Sequence, residues 1–260
     1  MVRTKVAMMQ PAFFPWQGFF ELILNSDKFI FLDDFQFSVQ SHHTRNKLFV
    51  GKNQVNYYTV PIQKSKSFEQ PLNEVLIVEN NQWKNKLLRT LEYNYQKAPY
   101  FKEIYDKISS TINQNFCSLA ELNIALIKDL CLVLNIKKDF LYSSNFSKET
   151  NSNSTRSKRV LELLNWSNAT EYLSAFGSFN YMKEDDFDYK NIHVIFQNYQ
   201  PMPYRQIHSV DFVPYLSILD ALFNIGPKET LSLIQNGTTK WLEWNERNAI
   251  LEKEVYNNDK

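Results

Sequence analysis

Short, wholly apolar segments separated by a helical pattern open the chain. Residues 5–9 (KVAMM) and 29–32 (FIFL) are typical of strands that are buried on both faces. Between them, residues 16–25 carry the apolar side chains of a buried helix, and Pro15 suits the first turn of that helix. Because short buried strands joined by a helix favour parallel pairing, this segment predicts a parallel strand–helix–strand unit.

The rest of the chain alternates between strand and helix patterns. Further strands are predicted at residues 47–50, 57–60, 75–78 and 192–196, with a strand or turn at 172–174. Helices are predicted at residues 83–95, 99–112, 119–133, 155–165, 215–223, 228–235 and 240–255. The helix at 119–133 follows a capping box formed by Ser118 and Glu121. These patterns predict a mixed α/β fold, with the N-terminal parallel unit in a central mixed sheet and a helical C-terminal half.

One polar segment, residues 147–154 (SKETNSNS), marks the clearest change in composition. It separates a predicted α/β domain at residues 1–146 from a mostly helical subdomain at residues 155–256. Alternatively, it is a flap over a site within one single domain. The pattern alone does not distinguish the two arrangements.

Charge and cysteine content narrow the class of function. The 29 basic and 28 acidic residues give a net charge of +1, without the basic excess of nucleic-acid-binding proteins. Because of this balanced charge, nucleic acid is not expected as a partner. No run of 18 apolar residues is present, so a membrane is not expected as a partner either. Cys117 and Cys131 lie 14 positions apart on one helix and its lead-in, a separation that disfavours a disulfide. The cytoplasm is the expected compartment.

Candidate chemistry begins where the first predicted strand ends. Gln10 and Pro11 open a loop that leads through Pro15 and Trp16 to Gly18 in the first helical turn. Ligands of open α/β sheets bind at such a strand-to-helix junction, because backbone N–H groups and the helix dipole converge there. The alternative is a structural one, in which the aromatic residues close the core around a tight loop.

The next predicted strand ends in carboxylates, Asp33 and Asp34, followed by Gln36. Two adjacent carboxylates cannot both be buried without partners. Asp34 is therefore a candidate general base, amine clamp or ligand of a ribose hydroxyl, beside Gln10 in a common hollow. A solvated turn aspartate is the alternative.

Arg45 and Asn46 follow two histidines, His42 and His43. Arg45 could hold a phosphate or a carboxylate through two parallel hydrogen bonds. Consecutive histidines on an extended segment point to opposite faces, so they cannot share one metal ion, and no metal is expected. The alternative in which one of the two histidines acts as a general base stays open.

Two later groups of polar residues are also candidates. Tyr172 and Ser174 precede irregular backbone that suits hydrogen bonds to a polar ligand, or an ordinary turn. Tyr204 and Gln206 precede an apolar helix that contains Asp220. A carboxylate in such a helix needs a partner, so Asp220 belongs either to an ion pair that locks the helix or to the site.

Taken together, these motifs resemble the WbqC-like family of bacterial proteins, and the matching segments run through nearly the whole chain. They are Gln10-Pro11, residues 14–20, Asp33-Asp34-x-Gln36, Arg45-Asn46, Val60-Pro61, Trp83, residues 95–101, Ser143-Ser144, residues 172–174, Tyr204-x-Gln206 and residues 216–226. Before Arg45, the residues 42–44 depart from the bulky aromatic or polar residue that is commoner in the family. Ala175 stands where glycine is commoner.

The resemblance implies a role in making bacterial surface polysaccharide, especially O-antigen. It implies a transferase that attaches an acyl or aminoacyl group, such as glycine, to the amine of a nucleotide-linked sugar. On this hypothesis Asp34 prepares the amine, and Arg45 holds a phosphate or carboxylate. The remaining roles are orientation by Gln10 and Gln36, ring stacking by Trp16, and hydrogen bonds to the sugar from Tyr172, Ser174 and Tyr204.

The sequence leaves the acyl donor and any use of ATP open, because it contains no Walker loop, Gly-rich dinucleotide loop, nucleophile elbow or zinc motif. A non-catalytic protein that binds or recruits sugar nucleotides in the same pathway is the alternative function.

Overall fold

The computed structural model of the chain describes residues 3–39, 41–63, 70–78, 80, 82–185, 187 and 191–258. Its strands, in chain order, are β1 Lys5–Met9, β2 Lys28–Phe31, β3 Arg45–Gly51, β4 Gln54–Thr59, β5 Asp139–Tyr142, β6 Glu171–Ser174, β7 His193–Phe196 and β8 Leu242–Glu243. Six of them form one sheet in the order β5-β2-β1-β6-β7-β8. The first five in that order are parallel, and β8 runs antiparallel to β7.

The winding of this sheet reverses beside β1. The chain first builds outward from β1 through β2 to β5, then returns to β6 on the other side of β1 and continues outward to β7. β1 and β6 are therefore neighbours whose connections leave in opposite directions, and a crevice opens between such connections at the carboxyl ends of the strands.

Side chains alternate along the central strands and divide the core into two apolar clusters. Val6 and Met8 pack in one cluster, whereas Ala7, Phe29 and Phe31 pack in the other. Both faces of β1 and β2 are thus covered, which explains why these strands have almost unbroken apolar sequences.

Helices cover both faces of the sheet in the part of the chain that the structure describes. They are α1 Gln17–Asn25, α2 Gln82–Tyr95, α3 Phe101–Ile112, α4 Leu119–Val133, α5 Ser143–Thr150, α6 Arg156–Trp166, α7 Phe179–Glu184, α8 Ile218–Asn236 and α9 Trp244–Asn258. The capping box at the start of α4 is present as predicted. The mixed α/β class, the N-terminal parallel unit and the helices of the C-terminal half are confirmed.

Three predicted elements differ from the structure. Residues 75–78 form isolated β-bridges instead of a strand, because their partners, Ile62 and Ser118, belong to different segments. The first half of the polar segment at 147–154 belongs to α5, which ends at Thr150 and is followed by Asn151 in a left-handed conformation. Residues 242–243 form a strand before the last helix, not its first turn.

The helices predicted at 215–223 and 228–235 are joined in α8. Gly226, with φ +78° and ψ 175°, interrupts the helical geometry just before Pro227. The backbone is therefore broken between the two predicted helices, although both belong to α8. The six-stranded sheet takes β1, β2 and β5 from the predicted segment 1–146 and β6, β7 and β8 from the segment 155–256.

Candidate functional site

A crevice of about 320 Å³ opens at the carboxyl ends of β1, β6 and β7, where the winding of the sheet reverses. We call it the switch-point crevice. Its lining residues are Met9, Trp16, Gly18, Phe19, Leu22, Ala175, Phe176, Gly177, Gln197, Asn198, Tyr199, Gln200 and Tyr215. Parallel α/β sheets hold small ligands at this place, so the crevice is the candidate site.

The loop after β1 brings Trp16 to the crevice. Phe14 adopts a left-handed conformation with φ +42°, and the buried amide of Asn46 donates hydrogen bonds to the carbonyl oxygens of Phe13 (3.2 Å) and Phe14 (2.8 Å). These bonds hold a turn that a bulky residue rarely adopts. Asn46 therefore shapes the loop from behind and does not line the crevice.

Gly18 lets the indole of Trp16 fold back onto the start of α1. A Cβ atom at position 18 would lie 2.4 Å from two carbons of that ring, well inside contact distance. Trp16 is the N-cap residue of α1 but gives no side-chain hydrogen bond to the first turn. The N–H of Phe19 donates to the backbone carbonyl oxygen of Trp16 (3.1 Å), whereas no side chain of residue 16 caps the N–H groups of this turn. A helix N-terminus without a side-chain cap suits an anion.

Two tyrosines complete an aromatic wall around Trp16. The ring centroid of Tyr199 lies 5.0 Å from that of Trp16, nearly perpendicular to it, and Tyr215 lies at 5.4 Å. Tyr215 is half exposed and has φ +59°, a strained conformation for a bulky residue. Tyr199 fits only because a Cβ atom is missing at Gly237, where it would lie 2.0 Å from the tyrosine ring.

Gln197 lies on the floor of the crevice, and a hydrogen-bonded group of side chains holds it from below. The Nε2 atom of Gln197 donates to the carbonyl oxygen of Gly18 (2.7 Å) and to Oε2 of Glu21 (2.6 Å). Thr238 donates to the same carboxylate through its backbone N–H (2.8 Å) and its hydroxyl (2.6 Å). Burial raises the pKa of Glu21, and these hydrogen bonds oppose the increase.

Asp33 is engaged by the start of α5. Its carboxylate accepts hydrogen bonds from the hydroxyl of Ser143 (3.1 Å) and from the backbone N–H (3.0 Å) and hydroxyl (2.6 Å) of Ser144. A carboxylate at a helix N-terminus is favoured by the unpaired N–H groups and the helix dipole. Asp33 therefore fastens the end of β2 to α5.

Asp34 is held by a cation instead of facing an open hollow. Its Oδ2 atom lies 3.1 Å from Nη2 of Arg159, and the hydroxyl of Ser147 donates to the same carboxylate. The single hydrogen of the Ser143 hydroxyl is shared between Asp33 and Asp34. The guanidinium of Arg159 is buried and lies 4.6 Å from the ring centre of Phe146. These contacts give Asp34 a structural role that the sequence did not indicate.

Gln10, Gln36 and Arg45 lie outside the residues that line the crevice. Nε2 of Gln10 donates to the backbone carbonyl of Gln36 (2.9 Å) and so links the segments that follow the first two parallel strands. The guanidinium of Arg45 stacks over the ring of Tyr57, 4.3 Å from its centre.

Tyr172 and Ser174 point into the core. Tyr172 is 1% exposed and belongs to one of the two apolar clusters, and the hydroxyl of Ser174, 0% exposed, faces the sulfur of Met182 at 3.9 Å. Neither hydroxyl has a surface through which to bind a sugar, so these two expected contacts are not available in this structure.

Asp220 is the centre of a buried network of neutral donors. Its carboxylate accepts from the hydroxyls of Tyr95 (2.8 Å) and Tyr204 (2.7 Å), from Nε2 of Gln206 (2.8 Å) and, more weakly, from Nδ2 of Asn224 (3.3 Å). Burial raises the pKa of Asp220, and hydrogen bonds from Tyr204, Tyr95 and Gln206 oppose the increase. The network ties α2, α8 and the preceding loop together behind the crevice.

Sequence reasoning selected Trp16 and Gly18 but missed most of the crevice. Gln197 is the polar residue that ends an apolar strand, as Gln10 does after β1, and this shared position was a usable signal. Glu21 within an apolar helix was a second signal of the kind that singled out Asp220. Tyr199 and Tyr215 carry no local pattern that separates them from core tyrosines.

Comparison with known proteins places the chain in a family. The family described as "WbqC-like protein family" matches residues 10–232. This chain belongs to the WbqC-like protein family. A similar relative is the uncharacterized protein Rv1507c of Mycobacterium tuberculosis (strain ATCC 25618 / H37Rv), 32% identical over 224 residues, which cover 85% of this chain and 94% of the relative. No solved structure matches the chain.

The matched span of this WbqC-like protein contains every residue that lines the crevice except Met9, and it ends before Thr238. In the described part of the chain, no helix is both long and apolar enough to span a membrane. Both cysteines are free, and burial raises the pKa of Cys131 to about 12, so its thiol stays protonated at neutral pH.

Proposed function

We propose that this WbqC-like protein binds a nucleotide-linked amino sugar in the switch-point crevice. We further propose that it transfers an acyl or aminoacyl group, such as glycine, to the sugar amine during synthesis of bacterial surface polysaccharide, including O-antigen, in the cytoplasm. The observation that carries the proposal is the joint position of an aromatic wall, the N-terminus of α1 and the amide side chains of Gln197, Asn198 and Gln200 at the reversal of the sheet.

The three parts of the crevice suit the three parts of such a ligand. Trp16 and Tyr215, whose rings are tilted by 55° against each other, line the crevice and offer aromatic surface for the stacking of a base. The first turn of α1, beside Gly18, offers N–H groups for phosphate oxygens. Gln197, Asn198 and Gln200 offer amides for the sugar.

The proposed reaction forms one bond and breaks another. The nitrogen of the sugar amine attacks the carbonyl carbon of an activated acyl or aminoacyl ester and forms a C–N bond. The bond from that carbon to the leaving group breaks, and the leaving group takes the electron pair and the proton that the amine gives up. Asp34, paired with Arg159, is assigned to hold the neighbouring strand end and not to take this proton.

A non-catalytic binding protein of the same pathway is the second candidate. It is favoured by one observation: among the described residues that line the crevice, none is a carboxylate, imidazole, thiol or amine. Such a protein would hold a sugar nucleotide and present it to another enzyme.

Calorimetric titration with a nucleotide-linked amino sugar, followed by mass spectrometry after adding activated acyl or aminoacyl esters, tests both candidates. Saturable binding and a mass increase equal to the acyl group support the transferase. Binding without a mass increase for any donor supports the binding protein. No binding to the chain, when tested against several nucleotides and sugars, contradicts both.

A further inference from the structure

Gln197 lies on the floor of the switch-point crevice and is 4% exposed. We infer that its amide oxygen faces the crevice and that it selects ligands through a hydrogen-bond donor, which in the proposed substrate is the sugar amine. This inference rests on the proposed function and names the residue that determines its specificity.

The orientation of the amide follows from its partners. Nε2 of Gln197 lies 2.7 Å from the carbonyl oxygen of Gly18 and 2.6 Å from Oε2 of Glu21. A carbonyl and a carboxylate only accept hydrogen bonds, and an amide nitrogen has two hydrogens to donate. Both hydrogens are therefore used below the crevice, and the polar atom that remains for a ligand is Oε1, which can only accept.

The surrounding structure keeps this orientation fixed. Glu21 is 1% exposed and receives two hydrogen bonds from Thr238, which follows α8, so its carboxylate cannot swing away from Gln197. The backbone N–H of Gln197 also donates to the carbonyl of Ser174 (2.8 Å) at the end of the neighbouring strand β6. The Gly18 carbonyl alone demands a donor from Gln197, whatever the protonation state of Glu21.

A fixed acceptor at the bottom of the crevice distinguishes ligands that donate a hydrogen bond there from ligands that cannot. An amine or ammonium group donates to Oε1 and gains a hydrogen bond in a site shielded from water. A fluorine or an ether oxygen at the same position cannot donate and leaves Oε1 unpaired, which costs binding free energy. The negative charge of an ionised Glu21 behind the amide further favours a cationic amine.

The test compares two ligands that differ at one atom, the nucleotide-linked amino sugar and its analogue with fluorine in place of the amine. For the unaltered protein we expect the amine to bind about tenfold more tightly or better, as one hydrogen bond to a buried group allows. In Gln197→Met, which keeps the length of the side chain but removes the acceptor, we expect the ratio of the two dissociation constants to fall to about one.

Gln235→Met is the matched control, because Gln235 is exposed on α8 and does not line the crevice. It should keep the preference for the amine. The ratio is measured well below the thermal midpoint of each variant, and the comparison in the unaltered protein requires no variant to fold.

Equal affinities of the unaltered protein for the amine and the fluorine analogue would overturn the inference while leaving the proposed function in place. So would a preference that survives in Gln197→Met or disappears in Gln235→Met. If neither ligand binds the unaltered protein, the proposed function itself fails.

Discussion

Close contact between a glycine and an aromatic ring decides the shape of the crevice at the scale of single residues. The indole of Trp16 occupies the space of a side chain at Gly18, and the ring of Tyr199 does the same at Gly237. Each glycine was visible in the sequence, but the ring that requires it was not. Gly237, the C-cap residue of α8, has an ordinary right-handed conformation, so a glycine is needed there for space and not for a left-handed turn.

Gly18→Ala should weaken ligand binding, because the new methyl group expels the Trp16 ring from the crevice wall. We expect the dissociation constant for the amino sugar nucleotide to rise about tenfold, the loss of roughly one aromatic contact. Isothermal titration calorimetry measures it. Gly177→Ala, where a Cβ atom meets nothing within 4 Å, is the control. Equal affinities of Gly18→Ala and the unaltered protein would contradict the role of Trp16.

Asp34→Asn should destabilise the fold, since it leaves the buried guanidinium of Arg159 without its anion. Breaking a buried ion pair on one side costs about 3 kcal/mol or more, and the thermal midpoint reports the loss. The catalytic role that the sequence favoured for Asp34 predicts a different result, lost turnover with a nearly unchanged thermal midpoint.

The double variant Asp34→Asn with Arg159→Met separates structure from chemistry. It removes the uncompensated charge as well, so we expect part of the lost stability to return. A thermal midpoint of Asp34→Asn equal to that of the unaltered protein, together with lost turnover, would restore the catalytic interpretation.

At the scale of elements, the sequence predicts helices and strands well where an apolar pattern extends through the whole element. Helices α2, α3 and α4 and the paired strands β1 and β2 were all anticipated, because each has a clear apolar pattern and α4 has a capping box. Short elements were not predicted from the sequence, for physical reasons. The strand β5 and the polar helix α5 carry too few apolar positions to show a period, and their stability comes from contacts such as those of Asp33.

Gly226 controls the path of α8. Its φ and ψ of +78° and 175° are accessible almost only to glycine, and a Cβ atom would lie 2.7 Å from the ring of Tyr100. Gly226→Ala should therefore lower the free energy of unfolding by about 2 kcal/mol or more. Chemical denaturation measures the change, with Gly177→Ala as a substitution at an unstrained glycine. Equal stability of the two variants would show that the break in α8 tolerates a side chain.

Two histidines should give the stability opposite dependences on pH. Burial, with a smaller effect from the neighbouring His42, lowers the pKa of His43 to about 4 from 6.5. The unfolded chain then binds a proton that the folded protein refuses, so stability falls as the pH falls from 6.5 towards 4, by about 3 kcal/mol at most. His43→Leu should remove this loss, as denaturation at a series of pH values would reveal.

His193 provides the contrast. Hydrogen bonds to Glu243 and Glu171 raise its pKa, so its contribution is present below pH 6.5 and is lost as the pH rises through the folded value. His193→Gln should therefore reduce stability on the acidic side only. For His43, an acid-side loss of stability that is the same in His43→Leu and in the unaltered protein would show that His43 is not buried as a neutral ring.

The arrangement of the whole sheet explains why the site lies where it does. A parallel pair was predicted for β1 and β2, but the reversal of the sheet depends on β6 returning to the other side of β1, more than 130 residues after β2. No local pattern encodes that pairing. For this reason the sequence indicated the β1 side of the crevice, through Trp16 and Gly18, but not the β7 side, through Gln197 and Tyr199.

The place of ligand binding is tested most directly by solving the structure of a crystal of the protein that has been soaked with a nucleotide-linked amino sugar. We expect electron density for the ligand in the switch-point crevice, in contact with Trp16 and with Oε1 of Gln197. Density for the ligand at another place, with the crevice unchanged and filled only by solvent, would contradict the assignment of the site.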